Sequence, residues 1–374
     1  MEREWGQPET AVLDRTRDLL ESGRRAVLAT LVDVKGSAYR RPGAKLVAPE
    51  GCEGAGAVTA GCLEDEVKRL TGSVLEEGTP RLETFDLRTD DAWGLGIGCD
   101  GTVEVLLEPL NQSLRPVLSA HDDRQPCTLL TVIDGEGEVA LGDRACYREG
   151  DSVVTTRGEW PFWLVDGVRD VAERLASSGR GETVTVDGPT GSVRVFADGI
   201  APPPRLLVVG TGNDAPPVAR TGLQAGFSVT VAGFRGGKAD PERFPWAAEV
   251  VSTSPVDLLD AVDVGLETYT VLMTHNFVDD RLALESLLAS PTPYIGIVAS
   301  TGRVENLLDA IGEDCRSLDL ADCDRIYAPV GLNLGGGAPG QIALSIAGEV
   351  LAVHNDRTPG HLRNRTGPVH DRPD

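Results

Sequence analysis

The stretch Leu206-Leu207-Val208-Val209-Gly210-Thr211-Gly212-Asn213-Asp214-Ala215 is an apolar, branched run entering a GxGxxA turn. Gly210 and Gly212 would allow a tight turn and close backbone approach, so that a phosphate could rest on the N-terminus of the next helix. Three features oppose that use. Asp214 puts a negative charge where a diphosphate would lie, and Pro216 and Pro217 carry no amide hydrogens. The next strand ends Val231-Ala232-Gly233-Phe234-Arg235, without the acid that holds a ribose diol in an NAD site. Arg235 could instead meet a phosphate. Two readings stay open: a nucleotide site favouring the phosphorylated dinucleotide, or a Rossmann scaffold that has lost nucleotide binding. Hydride transfer also needs a proton donor. His275, in Thr274-His275-Asn276 after a strand, is the candidate at the ligand-facing edge, the alternative being a loop histidine that caps the next helix or bonds the backbone.

A second set of residues suits sulfur chemistry. Cys62 and Cys99 each follow a glycine-rich stretch, residues 56–61 and 94–98. Turns of that kind present functional side chains from a rigid scaffold. The expectation is that the two sulfurs lie close together and face a cleft towards the C-terminal domain. A reactive thiolate needs a neighbouring cation, and Arg40 and Arg41 are the nearest candidates. The alternative is two small buried hydrophobes. The seven cysteines form no CxxC pair and none sits at zinc spacing from a histidine, so no structural zinc site is expected and the metal ligands stay unidentified. An odd number in a chain without a secretion signal favours thiols over disulfides.

The elements that must position these groups divide the chain. Residues 1–110 read as an α/β domain, with a helix at 12–20, strands at 26–34 and 44–47, a helix at 64–70 and a strand at 102–107. Residues 111–202 read as a β-rich continuation without chemistry of its own, with alternation at 129–133, 138–141, 183–186 and 192–196. It leads into Ala201-Pro202-Pro203-Pro204, a stiff linker. Residues 203–355 alternate strand and helix, which predicts a Rossmann-type parallel sheet. Its last helix starts at Pro339 and runs to about His354. Residues 356–374 are polar, with Gly and Pro, and read as a disordered tail.

Composition excludes some functions. The 374 residues carry a formal charge of -23, and lysine occurs only at 35, 45, 68 and 238. Few lysines and many short acids suit a cytoplasm full of salt, where screening removes self-repulsion. A halophilic host is expected, and no function is read into the acidity. Such a surface repels phosphate chains, so nucleic acid is excluded as an unassisted partner. No run is long and apolar enough for a membrane helix. The first residues lack the pattern of a signal peptide, so a cytoplasmic location is expected.

Taken in order, these residues resemble the XdhC/CoxI family, accessory factors of molybdenum hydroxylases such as xanthine and carbon monoxide dehydrogenases. Gly36-Ser37-Ala38-Tyr39-Arg40-Arg41-Pro42-Gly43-Ala44 is similar to the family's GS-x-x-RRPGA loop. Gly56-Ala57-Val58-Thr59-Ala60-Gly61-Cys62-Leu63-Glu64 resembles its G-x-(V/I)-S-G-G-C-(V/L)-E segment, and residues 94–105 its GLG-x-x-C-x-G-x-(V/I)-E-V. In the C-terminal domain the turn at 210–217, Arg243-Phe244-Pro245, Met273-Thr274-His275-Asn276, Ala328-Pro329-Val330-Gly331-Leu332 and the helix from Pro339 follow in family order. The chain departs from the family at Gly233, Asn333 and Gly340-Gln341, where acids are usual. The resemblance implies a factor that holds the molybdenum cofactor (molybdopterin), assists its gain of a terminal sulfide and passes it to an apo molybdenum hydroxylase. It implies service more than turnover, with a cysteine desulfurase as partner and a homodimer as assembly. The cofactor-binding residues it implies are Gly210, Gly212, Asp214, Arg235, His275, Cys62, Cys99, Arg40 and Arg41, with no catalytic set. The alternative is an NADP-dependent oxidoreductase acting on a small molecule.

Overall fold

The computed structural model describes the chain except residues 1–7, 37, 53, 60–62, 88–100, 136, 151, 190, 235–238, 315–323, 365 and 367–374. One compact unit spans Pro8–Pro202, and a second holds the residues from Pro203 on.

In the first unit, α1 (Pro8–Glu21) leads to β1 (Ala26–Gly36), β2 (Lys45–Pro49) and β3 (Ala55–Gly56). α2 (Glu64–Glu77), β4 (Arg81–Asp86) and β5 (Gly101–Pro109) follow. The strands form an antiparallel sheet in the order β3-β2-β1-β5-β4. β1 reads as an unbroken apolar run because both its faces are covered. Val27, Ala29 and Leu31 pack with Val67 and Val74 of α2, while Leu28 and Val32 face the other way.

The chain then repeats itself. α3 (Arg115–Asp122) precedes β6 (Cys127–Asp134), β7 (Arg144–Arg148) and β8 (Val154–Arg157). α4 (Phe162–Gly167) and α5 (Arg169–Ala176) lead to β9 (Gly181–Gly188) and β10 (Gly191–Ile200). The sheet order is β8-β7-β6-β10-β9, the same path as in the first sheet. Even the irregularities agree. The β1–β5 ladder slips between Leu31 and Asp33, and the β6–β10 ladder slips at the equivalent place, between Val132 and Asp134. The strands match residue for residue: Ala26-Val27-Leu28-Ala29-Thr30-Leu31-Val32-Asp33 against Cys127-Thr128-Leu129-Leu130-Thr131-Val132-Ile133-Asp134. Likewise Gly101-Thr102-Val103-Glu104-Val105 matches Gly191-Ser192-Val193-Arg194-Val195. α2 covers the outer face of one sheet and α5 that of the other. The inner faces share a core with α1 and α3.

Local alternation marks this second segment only as β-rich, and β7, β8 and its helices go beyond that expectation. The strand expected at 138–141 is absent. The chain turns there instead, with Gly137 and Gly142 at φ 88° and 84°. The Asp143 carboxylate accepts the Ala140 amide at 2.8 Å and holds the turn closed.

The second unit is a parallel sheet of β11 (Arg205–Val209), β12 (Ser228–Gly233), β13 (Glu249–Ser252), β14 (Thr268–Leu272), β15 (Tyr294–Ile297) and β16 (Ile326–Tyr327). Its order is β13-β12-β11-β14-β15-β16. α6 (Ala215–Gln224) and α10 (Pro339–His354) cover one face. α7 (Leu258–Ala261), α8 (Phe277–Leu288) and α9 (Thr301–Asp314) lie on the other. The order reverses between β11 and β14, which opens a crevice at their C-terminal ends. The expected Rossmann architecture is present, with β13 as the strand sequence reading missed.

Candidate functional site

The described candidate residues fall in two places, one in each unit. In the second unit the turn after β11 meets the loop after β14. A side-chain carbon on Gly210 would come within 2.6 Å of the Met273 carbonyl, so only glycine lets the two segments approach. His275 has φ 63°, an uncommon conformation for a residue with a side chain. Its exposed ring lies beside Gly212, whose added carbon would sit 3.7 Å from Cδ2. It does not cap α8. Asn276 does, its Oδ1 accepting the amides of Val278 and Asp279 at 3.0 Å each.

The phosphate-binding parts of a dinucleotide site do not fit here. Asp214 precedes α6 without capping it. The Ala215 amide is bonded to the Gly212 carbonyl at 3.3 Å, Pro216 and Pro217 have no amide hydrogen, and the Val218 amide turns back to Asp214. At the end of β12, a side-chain carbon on Gly233 would meet Thr211 Cγ2 at 2.8 Å and Ala239 Cβ at 3.0 Å. The place where an acid holds the ribose is therefore filled. Arg235 lies outside the described residues. The arginine found at the turn is Arg243, whose Nη1 donates to the Thr211 carbonyl at 2.9 Å. Asp280, buried below the loop, accepts the Thr274 hydroxyl and pairs with Arg303 at 2.7 Å. Sequence reasoning singled out neither Asp280 nor Arg303, since a lone acid inside a helix carries no signal of its partners.

In the first unit, the ladders place strand ends along one edge of the first sheet. Gly36 of β1 lies opposite Gly101 of β5, Leu46 of β2 opposite Gly56 of β3, and Asp86 of β4 opposite Thr102 of β5. With about 4.8 Å between strands, five strand ends span about 19 Å. The strands that flank Arg40 and Arg41 in sequence, the strand that precedes residue 57 and the strands on either side of residues 87–100 thus all have an end at that edge.

Two contacts tie this edge together. Arg40 donates through Nε and Nη2 to the Ala57 carbonyl at 3.3 Å, joining the first segment to the second. Arg41 helps shape the loop, its carbonyl accepting the Ala44 amide at 3.2 Å. Glu64, at the start of α2, bonds to both Thr59 and Leu63. Its carboxylate accepts the Thr59 amide at 2.9 Å, the Thr59 hydroxyl at 2.7 Å and the Leu63 amide at 3.2 Å. A carboxylate in the first helical turn is also favoured by the helix dipole. Thr59 can stand for the family's serine because the hydroxyl is the group used. Cys62 and Cys99 themselves lie outside the described residues.

Among the described residues Cys52 is exposed, with Arg24 Nη2 at 2.7 Å from its sulfur, whereas Cys127 and Cys146 are buried. The interaction of these two splits their acidities: Cys127 is pushed up by its bond with Cys146 and by burial, and Cys146 is drawn down by the same bond. No group of three or more metal-binding side chains occurs among the described residues, and no described helix is long and apolar enough to cross a membrane.

Comparison with known proteins adds an independent finding. The model of the XdhC and CoxI family matches residues 9–86, and that of the XdhC Rossmann domain matches residues 206–350. A probable xanthine dehydrogenase subunit of Bacillus subtilis (strain 168) is 28% identical over 339 residues, covering 89% of this chain and 94% of that protein. The molybdenum cofactor insertion chaperone PaoD of Escherichia coli (strain K12) is 30% identical over 138 residues, 33% of this chain and 42% of that one. A crystal structure of a xanthine dehydrogenase from Bacillus halodurans superposes with a TM-score of 0.74 at 28% identity, covering 92% of this chain and 96% of that one.

Proposed function

The chain belongs to the XdhC and CoxI family, and we propose that it holds the molybdenum cofactor during maturation of a molybdenum hydroxylase. In this reading it is an accessory factor. It receives the cofactor, keeps it while a terminal sulfide is added with a cysteine desulfurase as sulfur donor, and delivers it to the apo-hydroxylase. A homodimer in the cytoplasm is the working assembly.

The observation that carries this reading is that the strand ends flanking three loop segments share one edge of the first sheet. The donor set there suits the group. Arg40 and Arg41 offer guanidinium groups to the cofactor's phosphate, and Cys62 and Cys99 offer soft sulfur to the metal or to sulfur in transit. When bound, the cofactor supplies the metal centre and its dithiolene. The chain's own work is to bind, orient and shield it. Glu64 bonds to Thr59 and Leu63, the described residues on either side of Cys62 in sequence. Similarity to an insertion chaperone over a third of the chain agrees with this role. In the second unit, Gly210, Gly212, Asp214 and His275 line the crevice and form the second contact surface for cofactor or client, with Arg235 close by in sequence. Against the NADP-dependent alternative stand the missing amide hydrogens of Pro216 and Pro217 at the start of α6.

The test is co-purification from a molybdate-fed host, followed by analysis of bound pterin and metal. Stoichiometric pterin that falls at least tenfold in Cys62→Ser or Arg40→Ala is the expected result. Absence of pterin, together with a client hydroxylase that matures equally well without this protein, would overturn the reading.

A further inference from the structure

The two halves of the first unit meet through contacts that occur in exchanged pairs. Lys45 of β2 pairs with Asp198 of β10 at 2.7 Å, and Arg144 of β7 pairs with Glu108 of β5. All four side chains are buried. Lys45 and Arg144 hold the same place in their halves, as do Glu108 and Asp198. Neighbouring backbone repeats the exchange. The chain at Pro42–Gly43 lies against Gly181, and Gly142 lies against Pro80, which occupies the position equivalent to Gly181. Exchange of this kind, i to j and j to i, is what a two-fold axis produces.

On such an axis a residue meets its own equivalent. Glu104 and Arg194 are equivalent, and they meet at 2.6 Å. Each lies beside an acid in its own ladder, Glu104 opposite Asp33 and Arg194 opposite Asp134. Asp33 and Asp134 are themselves equivalent, and Asp33 lies 3.6 Å from Arg194.

We propose that the Pro8–Pro202 unit is a covalently joined pair of one module, and that the opposite charges of Glu104 and Arg194 make the first half select the second half over a second copy of itself. The off-axis pairs cannot make that choice. Two first halves would still set Lys45 against Glu108 twice, and two second halves would set Arg144 against Asp198 twice. The axial residues can. Two first halves would crowd two Glu104 and two Asp33 carboxylates together without a cation. Two second halves would bring Arg194 against Arg194 with an Asp134 beside each, a balanced set, so the exclusion acts against the pairing of first halves. Like charges at such distances raise the energy of one state and so supply specificity. The face fits one partner class, the opposite half of this same chain, whether from the same molecule or from a second copy exchanging halves.

Charge reversal in the full chain tests this. Arg194→Glu assembles four carboxylates and is expected to lower Tm by roughly 4–10 °C, with Glu104→Arg lowering it less. The double reversal should regain at least half of the summed loss. A double variant that loses as much as the two single variants together would overturn the proposal. Should Arg194→Glu fail to fold, the milder set Glu104→Gln, Arg194→Gln and their double supplies the same coupling by a double-mutant cycle. A protease site inserted between Leu110 and Asn111 gives a second readout. After cleavage, unfolding in urea and dilution, the halves should recombine one to one. First halves pairing with each other as readily as with second halves would also overturn it.

Discussion

The two halves of the Pro8–Pro202 unit share a scaffold and differ at one edge. Both run through the same strand order with the same bulge and place a buried cation and a buried acid at matched positions. At the loop edge they part. In the first half residues 87–100 separate β4 from β5, where in the second half only residues 189–190 separate β9 from β10. The first half bridges β3 and α2 with the Thr59–Glu64 clasp, where the second half passes from Arg157 to Phe162 through Trp160 and Pro161. The match to the XdhC and CoxI family, residues 9–86, falls within the first half. Buried alternation is enough to rebuild a sheet, while the loops at its edge are free to gain or lose chemistry. A scaffold built twice carries its signature loops once.

The largest effects test the shared scaffold. Arg144→Met leaves Glu108 buried without a counter-charge and is expected to cost about 3–5 kcal/mol, and Lys45→Met should cost a similar amount through Asp198. Denaturant unfolding of both measures whether the equivalence is energetic as well as geometric, and a tenfold disparity in their effects on the folding equilibrium would break the comparison. The pH dependence has a definite sign. Burial, outweighing the Arg144 guanidinium, holds the Glu108 carboxyl above the ordinary carboxylate range. The folded chain therefore keeps a proton that the unfolded chain releases, and this group's contribution falls as pH rises from the ordinary value to the raised one. Arg144→Met widens that window, so the variant should recover part of its loss on acidification towards about pH 4.

The matched turns come next. Gly43 and Gly142 both have positive φ, 101° and 84°. An added carbon at Gly142 would meet Pro80 Cγ at 2.5 Å, while at Gly43 the nearest atom is Asp198 Oδ1 at 3.3 Å. Alanine should cost about 1–3 kcal/mol at either site, and more at Gly142, because a proline ring packed on backbone yields less than a carboxylate tip. Thermal melts of the two variants would sharpen the comparison by ranking the turns.

Smaller still is the clasp that only the first half possesses. Glu64→Ala removes a charged acceptor from two amides and a hydroxyl, which is worth about 1–2 kcal/mol. Hydrogen exchange at Thr59 and Leu63 should quicken while the second half stays protected. Client maturation should fall by far more than the stability change alone would explain. The smallest effect on stability belongs to Cys62→Ser, within about 0.5 kcal/mol, yet it should reduce cofactor retention or client sulfuration. A serine variant that matures its client at the wild-type rate would return Cys62 to a packing role.

How much was legible depended on how local the signal was. The glycine turn at Gly210, β11, β14 and the helix beginning at Pro339 are written in neighbouring residues, and they were read directly. β13 was not, because its half-exposed Glu249-Val250-Val251-Ser252 lacks a long apolar run. The clasp was visible as Thr59 and Glu64 within one motif, but its bonds depend on how the turn closes. The internal repeat was present as matching strands, though loops of unequal length shift the register and hide it from a fixed-period search.

By itself the sequence determined the Rossmann architecture, the family and the loss of ordinary anion-binding parts around α6, because strand, turn and missing amide are properties of adjacent residues. Tertiary structure alone decided that the ends of distant strands share one sheet edge, that Thr211 and Ala239 fill the space beside Gly233, and that Glu104 meets Arg194. Each of those depends on antiparallel pairing or sheet packing, which joins residues that local sequence leaves far apart.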